Sequence, residues 1–220
     1  MRTLLTIAAL NTTLLLFTAA SRADTPCDFK GVSVGDKMSA QQLMTAYGVA
    51  KYKMNPKLPS FEESLPDIQK YGVLAAGEIR DWNVGPYCDD KLCTIPWGVS
   101  IGNSDMPVSV YVGFRSEQIT EIDVSFSQIY WDEILRLLDK KYGRNWKVER
   151  DADVVLTDLE TKKRLVAERI TLNHRSGGVN AKTRDTCQIW ATNYDVIFYH
   201  HDALGPFHSQ FVIKLVSKNF

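Results

Sequence analysis

Hydrophobic and polar residues alternate over much of the second half of the chain, and this period of two is typical of β-strands with one buried face. The clearest example runs from Val108 to Phe114, continues through the polar residues Arg115 to Gln118, and resumes from Ile122 to Phe126. This pattern predicts a β-hairpin with its turn at 115–118. Further strands are predicted at Trp146 to Arg150, Leu165 to Leu172, Cys187 to His200 and Gln210 to Ser217.

A spacing of three and four residues replaces this alternation between Tyr130 and Tyr142. Acidic side chains begin the segment and two lysines end it, so it predicts an amphipathic helix that lies on the sheet. A shorter helix is predicted after Ser39, because Ser39 and Gln42 can form a capping box. A third short helix is predicted near Pro66 to Tyr71. The apolar residues of the helix predicted at 130–142 are Trp131, Ile134, Leu135, Leu138 and Tyr142.

The order of these elements predicts the fold class. Consecutive strands with short turns, and helices that are grouped rather than interleaved, favour an α+β fold with an antiparallel β-sheet. One strong amphipathic helix and one or two shorter helices are expected to pack against that sheet. Since no glycine- or serine-rich linker divides the chain, a single globular domain is predicted over residues 24–220.

The first 23 residues have the features of a secretory signal peptide. Arg2 supplies the positive start, a mostly apolar stretch follows from Leu4 to Ala20, and Ser21-Arg22-Ala23 fits a small-x-small cleavage site. The apolar stretch is shorter than the roughly 20 apolar residues that a membrane span needs. We therefore expect a soluble mature chain that is periplasmic or secreted, with no membrane span after cleavage.

Charge argues against one class of partner. The whole chain has 26 basic and 26 acidic side chains, and signal cleavage removes two arginines. A nucleic-acid-binding protein is expected to have a clear basic excess, because its cations replace the phosphate counterions. No nucleic acid partner is therefore predicted.

Four cysteines remain after cleavage, and an even number in an exported chain favours disulfides over metal thiolates. Three pairings are possible. The spacing of Cys88 and Cys93 suits two arms of a hairpin, which leaves Cys27 to pair with Cys187. If both bonds form, no thiol remains for nucleophilic catalysis.

The segment around Cys88 and Cys93 is the first candidate binding surface. A disulfide would hold a small charged loop rigid between aromatic side chains, and rigid aromatic area loses little entropy when a partner binds. The alternative is a stapled edge hairpin whose tryptophans belong to the core. The candidate residues are Trp82, Tyr87, Asp89, Asp90, Lys91 and Trp97.

The histidines form the second candidate site. His201 and His208 would face each other across a predicted hairpin, with Cβ atoms about 5 Å apart, near enough to share a transition metal such as zinc. Asp202 lies beside them and His174 ends an earlier strand. Two ligands do not complete a zinc site, because catalytic zinc usually has three protein ligands. The first expectation is therefore no cofactor, with the imidazoles packed as ordinary hairpin side chains.

Two segments match the G-x-S-x-G pattern of the hydrolase nucleophile elbow, Gly31 to Gly35 and Gly98 to Gly102. That elbow needs a strand before the serine and a helix after it. Too few mature residues precede the first segment to build such a sheet, and the second falls where a strand is expected. We assign neither serine a catalytic role.

These observations favour an exported binding or inhibitor-like protein without a complete catalytic centre. Its expected partner is an extracytoplasmic protein, peptide or glycan, recognised through the aromatic stapled loop. A metal-binding protein or metal-dependent hydrolase centred on the His200–His208 hairpin is the first alternative. A structural component of the cell envelope is the second.

Overall fold

The structure is a computed structural model that describes residues 25–58, 84–101, 106–127, 130–157, 164–196 and 208–216. Strands dominate these ranges and two helices accompany them, which confirms the α+β prediction in this coarse form. The predicted signal peptide and the helix predicted near 66–71 lie outside the described residues. The strands are β1 (Asp28–Phe29), β2 (Val32–Ser33), β3 (Lys53–Met54), β4 (Tyr87–Cys88), β5 (Leu92–Ile101), β6 (Met106–Arg115), β7 (Gln118–Ser127), β8 (Trp146–Thr157), β9 (Arg164–His174), β10 (Gly178–Val179), β11 (Thr186–Val196) and β12 (His208–Leu215); the helices are α1 (Ala40–Ala46) and α2 (Trp131–Tyr142).

The main sheet has the strand order β3-β4-β5-β6-β7-β12-β11-β9-β8, with β10 also paired to β11. This order joins two antiparallel meanders, β4 to β7 and β8-β9-β11-β12, through their last strands. The predicted antiparallel sheet holds for the other strand pairs of this sheet, but β3 pairs with β4 in parallel, so the sheet is mixed. Parallel neighbours need a long crossover connection, and the chain between β3 and β4 is long enough to provide one.

The predicted hairpin is formed by β6 and β7. Arg115 pairs with Gln118, and the two turn residues between them, Ser116 and Glu117, both have positive φ, at 50° and 65°. Two consecutive residues with positive φ are the feature of a type I′ turn, which matches the twist of the flanking strands.

Helix α1 begins as its sequence predicts. The Ser39 hydroxyl accepts a hydrogen bond from the Gln42 amide, and the Gln42 side chain accepts one from the Ser39 amide, so the capping box is confirmed. Leu43 and Met44 are fully buried. Gly48, with φ at +76°, follows the helix in the left-handed region where glycine has no steric cost.

Helix α2 packs on one face of the sheet. Its side chains Ile134, Leu138 and Tyr142 are buried. Tyr142 lies 5.2 Å from the ring centre of Phe211 on β12, and Trp131 stacks at 6.3 Å on Phe126 of β7. The helix therefore spans the junction at which the two meanders meet.

The β1–β2 hairpin connects both helices. The Tyr142 hydroxyl donates to the Asp28 carbonyl oxygen at 2.6 Å, and the Tyr47 hydroxyl, just after α1, donates to the Phe29 carbonyl oxygen at 3.4 Å. Burial, with the nearby Asp28 carboxylate, raises the pKa of both tyrosines well above the ordinary value. Both phenols therefore stay protonated and remain donors.

The structure has the two disulfides that the cysteine spacing predicts. Cys88 and Cys93 are cross-strand partners in β4 and β5 with Cα atoms 4.1 Å apart. Cys27, just before β1, is bonded to Cys187 on β11 with Cα atoms 6.0 Å apart. The Cys27–Cys187 bond fixes the β1–β2 hairpin to the sheet.

Truncation of Leu138 tests the packing of α2. Leu138 is 6% exposed, and it lines a groove of about 240 Å³ between the helix, Phe29 and the sheet. Leu138→Ala is expected to lower the free energy of unfolding by about 2 to 3 kcal/mol, the lower part of the usual range, because the groove lets neighbouring side chains relax. Urea unfolding measures the loss, and the exposed residue Lys140 supplies a matched control, Lys140→Ala. A loss below about 0.5 kcal/mol, as for a surface substitution, would contradict this packing.

Candidate binding surface on the sheet

The two faces of the sheet differ in chemistry. Successive strand residues point to opposite faces, and Val124, Phe126 and Phe211 lie on the face that packs against α2. Their strand neighbours Asp123 and Val212 therefore lie on the opposite face, which we call the polar face.

Register aligns the residues of the polar face in rows across the strands. The first row crosses eight strands and the second crosses six. The second row carries only hydroxyl, amide and carboxylate side chains. From β4 or β6 towards β8, the first row is Tyr87, Thr94, Tyr111, Asp123, Val212, Trp190, Asn173 and Lys147, and the second is Ser109, Ser125, Gln210, Thr192, Thr171 and Glu149.

Exposure changes along the first row. Tyr87 and Thr94, at the β4 end, are only 3% and 0% exposed. Trp190 and Asn173 are half-buried, and Lys147 is exposed. The polar face is therefore accessible mainly over the second meander.

The accessible part of the polar face contains a shallow cleft of about 470 Å³. Trp190 is the aromatic residue of its lining, with Gln188 and Thr192 beside it on β11 and Asn173 opposite on β9. We call this feature the sheet cleft. Its lining residues are Glu149, Asp151, Arg169, Thr171, Asn173, Gln188, Trp190, Thr192 and Gln210.

The charges of the sheet cleft are paired with one another. Arg169 forms an ion pair with Asp151. Glu149 accepts from the Lys147 ammonium at 2.8 Å and from the Asn173 amide at 3.0 Å. The lining itself has two carboxylates and one cation, and Lys147, which lies beside the cleft, supplies the second cation, so both carboxylates are paired. Such exposed pairs contribute about 0 to 1 kcal/mol each, so they set the chemistry of the surface more than its stability.

Several hydrogen-bonding groups of the sheet cleft remain available. Within the described part of the chain, the side chains of Gln188, Thr192 and Gln210 make no hydrogen bond. An amide offers two donors and one acceptor, and a hydroxyl offers both functions. The cleft therefore presents donors and acceptors around one indole ring.

Asp123 lies on the first row, at the edge of the accessible part. Burial, with a smaller effect from the neighbouring Glu121 carboxylate, raises the pKa of Asp123 to about 7. Its Oδ1 atom is buried without a hydrogen-bond partner in the described structure, as is the hydroxyl of Thr94. Glu121 itself pairs with Lys214 at 2.9 Å. With a pKa of about 7, the Asp123 carboxyl changes between its protonated and ionised forms near neutral pH.

The stapled loop has a different exposure from the one its sequence suggests. Tyr87 is buried, and the Asp89 carboxylate accepts from the amides of Lys91 and Leu92 at 2.7 and 2.8 Å, so it shapes the turn. Asp90 and Lys91 are exposed. Trp82 and the side chain of Trp97 lie outside the described residues. The described part of the loop thus presents two charges to solvent, and its binding role stays a prediction.

His174 has an evident packing role. It is buried at the end of β9, its ring meets that of Trp146 edge-on at 5.2 Å, and Nε2 lies 2.9 Å from the Tyr142 carbonyl oxygen. Since a carbonyl only accepts, Nε2 carries the proton and donates. His200, His201 and Asp202 lie outside the described residues, as does the side chain of His208.

The described ranges contain no group of three histidine, cysteine, aspartate or glutamate side chains that could hold a metal ion. The metal-site hypothesis therefore stays a prediction about the hairpin outside those ranges. Neither described helix is both long and apolar enough to cross a lipid bilayer. No family model, curated protein or solved structure matches the chain.

Sequence reasoning did not identify the sheet cleft. Its residues come from four strands, and all except Trp190 are ordinary polar residues of alternating segments. The one usable signal was Trp190, a large aromatic residue between the polar residues Gln188 and Thr192 on the solvent-facing side of its strand.

Proposed function

We propose that the chain is an exported binding or inhibitor-like protein whose contact surface is the sheet cleft. The observation that carries this proposal is the half-buried Trp190 beside the side chains of Gln188, Thr192 and Gln210, which make no hydrogen bond within the described residues. Tryptophan dominates many binding surfaces, because its ring provides a large contact area for few rotatable bonds.

The predicted location agrees with this function. The signal-like segment 1–23 predicts export, and both disulfides are of the kind that persists in oxidising compartments. A periplasmic or secreted protein would meet its partner there.

The sheet cleft supports binding better than the stapled loop does. The one loop aromatic whose side chain is described, Tyr87, is buried, and the exposed residues of the described loop are the charged Asp90 and Lys91. Rim charges of this kind add little affinity. The cleft instead combines an aromatic surface with hydrogen-bonding side chains carried on paired strands.

Affinity capture followed by calorimetry tests this proposal. Immobilised mature protein is exposed to the secreted and periplasmic proteins and the surface polysaccharides of the source organism, and each retained ligand is purified and titrated. The double variant Gln188→Ala/Gln210→Ala is expected to weaken binding by about tenfold or more. The matched control Asp90→Ala/Lys91→Ala should change affinity by less than about twofold. A ligand whose binding is weakened only by Asp90→Ala/Lys91→Ala would contradict the proposal.

A further inference from the structure

The sheet cleft carries a more specific inference, which rests on the proposed function. We propose that its ligand is an uncharged oligosaccharide, with one sugar ring against the face of Trp190 and its hydroxyl groups bound by the surrounding amides, hydroxyls and carboxylates.

Charge supports this ligand class. The two carboxylates of the sheet cleft, on Glu149 and Asp151, are each paired with a cation at Lys147 or Arg169. A charged ligand would gain little from these groups, because each already faces a partner of opposite charge and exposed charges of this kind add little affinity. An uncharged ligand can bind while both ion pairs stay intact.

Hydrogen-bonding capacity also supports it. A sugar hydroxyl both donates and accepts, so it needs partners of both kinds. Gln188 and Gln210 supply amide donors and acceptors, Thr192 supplies a hydroxyl, and Glu149 retains carboxylate acceptor sites beyond those used by Lys147 and Asn173. These groups stand in rows on paired strands, so their backbone is already ordered before a ligand binds.

The aromatic residue completes the complementarity. A sugar ring has an apolar face of C–H groups and a rim of hydroxyls, and Trp190 offers an apolar ring among polar neighbours. The polar row from Glu149 on β8 to Gln210 on β12 crosses four strands. At about 4.8 Å between strands, it is roughly 14 Å long, which favours several linked sugars over a single ring.

Titration with defined sugars tests this inference. Hexasaccharides of glucose in α-1,4, β-1,4 and β-1,3 linkage and of N-acetylglucosamine are the uncharged probes, and hexagalacturonate is the charged one. Calorimetry is expected to detect binding of at least one uncharged probe and none of hexagalacturonate. Trp190→Ala should weaken that binding by about tenfold or more, and Trp190→Phe by less, because the smaller ring is kept. Lys91→Ala is the control and should leave affinity unchanged.

Each result bears on a distinct claim. Binding of hexagalacturonate alone, or sugar binding that Trp190→Ala leaves unchanged in a variant with wild-type circular dichroism, would overturn the oligosaccharide proposal. A protein captured at the cleft, with every sugar inactive, would also overturn it while the proposed binding function stands. If no retained ligand depends on Gln188 and Gln210, both proposals fail.

Discussion

Replacing Cys27 and Cys187 by alanine is expected to lower the free energy of unfolding by about 5 kcal/mol, the largest single effect that we predict. The bond closes a loop of 160 residues, and the chain-entropy relation for a loop of that length gives about this value. Since small domains are stable by only about 5 to 15 kcal/mol, this loss would remove much or all of the stability.

The Cys88–Cys93 disulfide provides the matched control. Cys88 and Cys93 are five positions apart, so the same relation predicts a loss of only about 2 kcal/mol for Cys88→Ala/Cys93→Ala. Urea unfolding of both variants, with wild-type protein before and after reduction, measures the difference. Equal losses in the two variants would show that loop length does not determine the effect.

The position of the Cys27–Cys187 bond explains why its loss would spread through the fold. The bond holds the start of β1, and the carbonyl oxygens of Asp28 and Phe29 accept from Tyr142 and Tyr47 beside the two helices. When this anchor is lost, both helix ends lose a fixed partner. We therefore expect the regions after α1 and α2 to lose hydrogen-exchange protection first.

Local patterns in the sequence predicted the strands of the β6–β7 hairpin, the start of α1 and the shorter disulfide. Residues Val110, Val124 and Phe126 alternate with polar neighbours because one face of each strand is buried, and this burial fixes the side-chain period. The capping box at Ser39 and Gln42 depends on four consecutive residues only. The pairing of Cys88 with Cys93 follows equally from short spacing.

Strand order could not be predicted in the same way. β7 and β12 are adjacent in the sheet although α2 and the strands β8 to β11 lie between them in sequence. Their alternation is compatible with several neighbours, because period two states which face is buried and not which strand lies beside it. The parallel pairing of β3 with β4 could not be predicted either, because both are two-residue strands with almost no pattern.

The sheet cleft depends on that unpredicted order. Trp190, Asn173 and Gln210 come together because β9, β11 and β12 are neighbours in a particular register. The burial of Asp123 depends on it as well. In the sequence it is one of many polar residues in alternating positions, and only the pairing with Tyr111 and Val212 shows that it lies between two strands at the centre of the sheet.

Asp123→Asn is expected to stabilise the protein at pH 8 and to have little effect at pH 4. The folded-state pKa of Asp123 is raised to about 7, whereas an aspartate in the unfolded chain titrates near 3.9. Between these values the folded state holds a proton that the unfolded state has released, so stability falls as pH rises from about 4 to 7. Below about pH 4 both states are protonated and the cost is absent.

The size of this effect has an upper limit. A pKa raised from 3.8 to about 7 corresponds to about 4 kcal/mol, and water that reaches the carboxyl reduces the cost of its charge. We therefore expect Asp123→Asn to gain about 2 kcal/mol at pH 8, because the amide is neutral at every pH. The Glu121–Lys214 pair on the same face is retained in both proteins, so it cancels in the comparison.

Urea unfolding of wild type and Asp123→Asn from pH 4 to 8 measures this dependence directly. The difference between their unfolding free energies should grow with pH through the window from 4 to 7 and then level off. Asp90→Asn removes an exposed carboxyl from the stapled loop and reports the effect of one fewer negative charge alone. A difference for Asp123→Asn that stays constant over the whole range would mean that its carboxyl titrates in the folded protein as it does in the unfolded chain, and the buried, proton-holding carboxyl beside the sheet cleft would have to be abandoned.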